Sequence, residues 1–126
     1  MKAQMLKAVM VKPNQKAEIA YISTSLESMQ RVVGGLIQAL YPFEEEIAII
    51  CNDEAKLLHM PPNRGLIMDG QVVDIICGDF FIVGCSNNNF CSLTDEQAEK
   101  YKQQYLFPEK FMLINGEVKV TKYEVF

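Results

Sequence analysis

Short β-prone runs cut by turn dipeptides recur along this chain, and they restrict it to a fold built on a sheet. Asp69-Gly70 and Asn115-Gly116 are the strongest of these signals. A two-residue hairpin turn needs positive φ at both central positions, which Asp, Asn and Gly tolerate best. The first pair leads into a strand over Gln71–Cys77, and the second joins Phe111–Ile114 to a second arm over Glu117–Phe126. Met5–Val11 and Ala17–Ile22 flank a Pro13-Asn14 turn and read as a further hairpin. Ile47–Cys51 is continuously apolar, as expected of an inner strand covered on both faces. Phe80–Cys85 follows a Gly78-Asp79 turn, so Phe80 and Phe81 must point to opposite faces. Ser86-Asn87-Asn88-Asn89 reads as a polar loop.

Two segments switch to helical spacing. Thr24 with Glu27 three residues later reads as a capping box, followed by apolar residues at Leu26, Met29, Val33, Leu36, Ile37 and Leu40. Tyr41-Pro42 ends that helix. Gly34-Gly35 within it would cost about 1 kcal/mol each relative to alanine, so close approach of a strand, a subunit or a ligand is expected there. Thr94 and Gln97 open a second helix that ends near Tyr105; its sparse apolar stripe predicts a surface position. The expectation is α+β: a single domain over 1–126, with a mainly antiparallel sheet and two helices packed on it.

Composition removes several classes of function. With 126 residues, a formal net charge of −4 and two arginines, Arg31 and Arg64, the chain carries no basic stripe for duplex nucleic acid. Its apolar runs are too short to cross a bilayer as helices. Met1–Met5 shows no signal-peptide core, and the expected setting is cytoplasmic, with Cys51, Cys77, Cys85 and Cys91 reduced. Cys85 and Cys91 lack both C-x-x-C spacing and a nearby histidine, so no metal and no cofactor are expected.

His59 is the sole histidine, and a hydrolytic triad would need it beside an activated serine or cysteine. No nucleophile elbow and no phosphate loop is present, so the chain reads as a binding protein and not an enzyme. Asn52-Asp53-Glu54-Ala55-Lys56 and Pro61-Pro62-Asn63-Arg64 carry the groups best suited to recognition. Arg64 offers a planar fork for an anion, and Asn63 offers both donor and acceptor; the bland alternative has Asn63 stabilising its own turn and Arg64 paired with Asp74 or a glutamate. Asn52 and Lys56 add polar contacts. Tyr41, Phe43, Phe80, Phe81 and Phe90 are candidates for stacking on a base, though such residues are more often core.

The ordered motifs Val33-Gly34-Gly35, Cys51-Asn52-Asp53-Glu54, Pro61-Pro62-Asn63-Arg64, Asp74-Ile75-Ile76-Cys77-Gly78 and Phe80-Phe81-Ile82 resemble a family of small uncharacterised proteins of phages, plasmids and integrative elements. The likeness covers about 19–101. Ala55 stands where that pattern has glycine, and the hairpin over 111–126 looks like an extension. The chain is also similar to phage sponge proteins that soak up nucleotide signals. This likeness implies sequestration of a cyclic nucleotide immune signal to blunt host defence, without catalysis, through Arg64, Asn63, Asn52, Lys56 and Tyr41. The competing reading is a protein-binding inhibitor or adaptor that uses an exposed strand edge, the terminal hairpin or Glu44-Glu45-Glu46. A third, hydrolysis of a nucleotide signal, lacks a base. Homo-oligomerisation would suit the Gly34-Gly35 region and the terminal hairpin.

Overall fold

The computed structural model describes residues 5–87 and 89–125, so the readings made on Met1–Gln4, Asn88 and Phe126 lie outside the described residues. Five strands form the main sheet in the order β2-β1-β7-β4-β3: β1 is Met5–Val11, β2 Glu18–Ser23, β3 Ile37–Leu40, β4 Ile47–Asn52 and β7 Phe80–Ser86. Every neighbouring pair is antiparallel, and the short β8, Asn89–Cys91, continues along β7 beyond the end of β1. Two separate ribbons complete the strands. One joins β5, Pro62–Met68, to β6, Gln71–Cys77; the other joins β9, Glu109–Ile114, to β10, Glu117–Lys122. The α+β expectation, with a mainly antiparallel sheet and two helices, describes this architecture.

Alternation along the inner strands builds two apolar layers. Val9, Val11, Ile47, Ile49, Phe80 and Ile82 face one side, where they pack with Leu66, Ile76, Ala98 and Tyr101. Ala8, Met10, Ala48, Ile50, Phe81 and Val83 face the other, under Met29 and Val33. Every residue of β4 is buried, and Phe80 and Phe81 part to opposite layers as the pleat requires. Helix α2, Asp95–Gln104, lies on the first layer on a narrow stripe of Ala98 and Tyr101; its capping box, Thr94 with Gln97, is present.

Helix α1 departs from its expected bounds. It spans Leu26–Val33, and Ser25 caps it by accepting from the Ser28 N–H, so Thr24 is not the cap. Gly34 ends it in the left-handed region at φ 80°, and the N–H groups of Gly34 and Gly35 both donate to the Gln30 carbonyl. The glycine pair is therefore a terminator, which offsets the penalty it would carry inside a helix. Leu36 follows the cap, while Ile37 and Leu40 belong to β3. Gly35 also sits against Asn52, whose Nδ2 would lie 3.0 Å from an added Cβ. The two strong turn signals behave as expected. Asp69 and Gly70 take φ 51° and 76°, and Asn115 and Gly116 take 52° and 79°.

Candidate functional site

The double proline sets Asn63 and Arg64 at the start of β5, where the ribbon meets the main sheet. Both are fully buried, Arg64 at 0% exposure. Asn63 Nδ2 donates to the carbonyls of Val11 at 2.9 Å and Gly78 at 2.8 Å, tying β5 to β1 and to the turn before β7. Arg64 Nη2 donates to Gln15 O at 2.7 Å and Tyr105 O at 3.0 Å, while Nη1 donates to Asn63 Oδ1 at 2.8 Å. Glu109 of β9 accepts from the Gly65 N–H at 2.8 Å and supplies the nearby negative charge. These groups are satisfied from within the protein. The expectation that Arg64 and Asn63 meet a ligand is corrected on this ground, and neither Asp74 nor a glutamate takes Arg64 in a salt bridge. A guanidinium can be buried here because several carbonyl dipoles converge on it.

Asn52 is also internal. Its Nδ2 donates to the Val33 carbonyl at 3.1 Å and its Oδ1 accepts from the Glu54 N–H at 2.7 Å, which shapes the turn after β4. That turn takes its positive φ at His59, 55°, and Ala55 is buried within it. Alanine at position 55 is therefore compatible with the fold.

Lys56 differs from these three. It projects from the 53–60 turn and pairs with Asp74 of β6, both side chains being more than half exposed. On one side of this ion pair lies a cavity of about 190 Å³, lined by Gln38, Leu40, Cys51, Asn52, Glu54 and Ile76 among others. On the other side lies an apolar groove of about 470 Å³, walled by Pro62, Val72, Val73 and, from the second ribbon, Val118. Lys56, Asp74, Ile75 and Cys77 line both. Two hollows thus meet at one exposed ion pair.

The electrostatics are lopsided. Asp53, Glu54 and Asp74 face the smaller cavity with Lys56 as the one cation among the described lining residues. Its bond to Asp74 holds the Lys56 ammonium above its ordinary value. Burial acts against ionisation of Asp74, yet Lys56 and the Ile75 N–H keep its carboxyl below the usual range. Burial, reinforced by Asp53 and Asp74, pushes the Cys51 thiol up to about 11, and burial raises Cys77 as well. Both sulfurs are therefore thiols at neutral pH and poor nucleophiles. Among the described residues, no group of three or more His, Cys, Asp and Glu is placed to hold a metal ion.

Tyr41 lies elsewhere. Together with Glu46, Asn87, Asn89 and Phe90 it borders a hollow at the opposite end of β4 from Asn52. A six-residue strand spans about 17 Å, so Tyr41 and Lys56 do not share a site. Of the five residues selected from the sequence, the fold brings Asn52 and Lys56 to one cavity. Asp74, expected only as a partner for Arg64, joins them there, and Val72, Val73 and Val118 wall the adjoining groove without having been selected from the sequence. The alternation of Val118 and Val120 after Asn115-Gly116 was the available signal for the last, since it marks an apolar face on that ribbon.

This chain belongs to a family known as a domain of unknown function, DUF3846, whose model matches residues 6–106. The match takes in the first hairpin, which the motif likeness over 19–101 left out, and it ends before the β9–β10 ribbon. Neither the curated proteins nor the solved structures give a match. Among the described residues no helix is long and apolar enough to cross a membrane.

Proposed function

We propose that this protein is a non-catalytic binding protein that takes up a nucleotide signal in the cleft around Lys56 and Asp74. The observation that carries the reading is the ion pair shared by the 190 Å³ cavity and the 470 Å³ groove. Together they reach the volume range of small-ligand sites, with an apolar wall and a few convergent polar groups. A base suits the groove beside Pro62 and Val72. Ribose hydroxyls and amino groups suit the carboxylate-rich cavity, because they donate hydrogen bonds. Lys56 is the place for one phosphate, which would compete with Asp74 for the ammonium. The acidic lining disfavours clusters of phosphates. On a mobile element, as the family likeness implies, such uptake would withdraw an immune signal from the host.

Thermal shift and calorimetry against cyclic di- and trinucleotides, cyclic ADP-ribose isomers and ordinary nucleotides test this reading. A ligand at a thousand times its dissociation constant stabilises the fold by about 4 kcal/mol. Lys56→Ala should lower affinity at least tenfold, whereas Asp74→Asn should raise it by freeing the ammonium. A flat response across the panel, or an Asp74→Asn variant that binds more weakly, would overturn it.

A further inference from the structure

Strand β2 forms one edge of the main sheet, with β1 as its one strand neighbour among the described residues. Lys7 of β1, which stands across from Tyr21, shows which backbone groups of β2 face outward. The Lys7 N–H donates to Ser92 Oγ at 2.9 Å and its carbonyl accepts from the Leu93 N–H at 2.9 Å, so both point away from β2. Lys7 and Tyr21 are therefore a non-hydrogen-bonded pair, and the N–H and C=O of Tyr21 point to the open edge. Alternation gives Ile19 and Ser23 the same direction. Ala17, one step earlier in that alternation, agrees: its N–H donates to the Leu106 carbonyl at 3.0 Å. Past Ala17, no described backbone group bonds to this outer side of β2.

A monomer guards such an edge with a proline, a bulge or a charge at mid-strand. β2 has none of these. Glu18-Ile19-Ala20-Tyr21-Ile22-Ser23 runs in unbroken register with β1, and its one charge stands at the first position. Tyr21 shares the face of Lys7, whose ammonium pairs with Asp95 of α2, yet it is 60% exposed, so the helix leaves the edge open there. On the opposite face α1 packs inward over Ala48 and Ile50.

We infer that the β2 edge of a second copy of this chain covers this one, antiparallel about a twofold axis at Tyr21, so that one sheet runs through both copies. In this register Tyr21 meets its own counterpart, and Ile19 meets Ser23 in both directions. Each pair exchanges two backbone hydrogen bonds, about six in all. The side chains fit the same register. Ala20 falls opposite Ile22 of the second copy, small against large, on the α1 face, while the two Tyr21 rings flank the axis on the α2 face. Glu18 falls opposite Thr24, so the two carboxylates lie at opposite ends of the joint and do not repel. The Lys56 cleft is remote, because β3, whose Gln38 and Leu40 line its cavity, lies four strand spacings, about 19 Å, from β2. The dimer thus stands on the sheet edge and does not depend on the ligand reading.

Light scattering coupled to gel filtration, with the full chain at tens of micromolar, tests the inference alongside hydrogen exchange of the wild type. The expected mass is that of two chains, with the Ile19, Tyr21 and Ser23 amides protected. Tyr21→Pro removes a donor that β1 does not use and should halve the mass while circular dichroism remains that of a folded protein. Tyr21→Lys, the second variant, sets two ammonium groups against each other across the axis and should also give monomer, with those amides exchanging fast. A monomeric wild type would overturn the inference. So would a mass above two chains, a dimer whose Ile19, Tyr21 and Ser23 amides exchange freely, or one that survives both substitutions.

Discussion

The guanidinium of Arg64 is held by the backbone carbonyls of Gln15, Tyr105 and Asn63 and by the Asn63 side chain. Removing it strands those carbonyls and opens a hole at the joint between ribbon, sheet and α2. Arg64→Ala should therefore destabilise the protein by about 3–5 kcal/mol in urea unfolding. Arg64→Lys should also lose stability, because one ammonium cannot span the same fork of acceptors. Cys51 gives the residue scale a pH dependence. Its folded pKa, about 11, lies above the ordinary 9.0, so the stability it contributes is complete below pH 9 and is lost as pH rises toward 11. The urea midpoint should fall across that window by the equivalent of about 2–3 kcal/mol. Cys51→Ala should flatten the slope there. At pH 8, alkylation should spare Cys51 in the native protein.

At the scale of elements, local chemistry and tertiary packing divide the work. Asn115-Gly116 was legible as a hairpin and Asp69-Gly70 as a tight turn into β6, because a two-residue turn is decided by the φ values its own residues accept. The strand before that turn, β5, was not legible, since its start lies in the proline-broken stretch over 57–64 that reads as irregular. The limits of α1 were less legible. Ser25 and Thr24 are both good caps, and Leu36, Ile37 and Leu40 fit a helical stripe as well as a strand. The Asn52 side chain against Gly35 and the pairing of Ile37 with Asn52 settle the matter from a distance in sequence. Ser25→Ala should cost about 1 kcal/mol and Thr24→Ala close to nothing, measured as a pair by urea unfolding. Gly84 has a plainer constraint. An added Cβ would meet Cys91 Sγ at 2.9 Å and the Ser92 carbonyl at 3.0 Å, and the backbone atom cannot swing aside. Gly84→Ala should cost about 1–3 kcal/mol and loosen β8, seen as faster hydrogen exchange at Leu93, whose N–H donates to Lys7 O.

For the whole molecule, the family match ends at residue 106 while the folded unit continues. Glu109 holds the Gly65 N–H, the Tyr123 N–H donates to Pro108 O at 2.9 Å, and the Tyr123 hydroxyl donates to Asn14 at 2.6 Å. A chain cut after Leu106 keeps the main sheet but bares the Arg64 joint. It should lose about 2–4 kcal/mol, roughly 10 °C in melting temperature. The sequence by itself determined the first and last antiparallel hairpins, the turn at Asp69-Gly70, the inner strand at Ile47–Cys51, the cap of α2 and the absence of a basic stripe. Each of these rests on neighbours along the chain or on composition. Which polar groups meet solvent was decided only by the tertiary structure. Arg64, Asn63 and Asn52 look like recognition residues in a string of letters, yet they serve as internal donors once β5 and the turn after β4 are docked. Lys56 gains its place because β6, eighteen residues away, sets Asp74 opposite it. Burial of a polar side chain depends on acceptors supplied by distant strands, and periodicity carries no record of them.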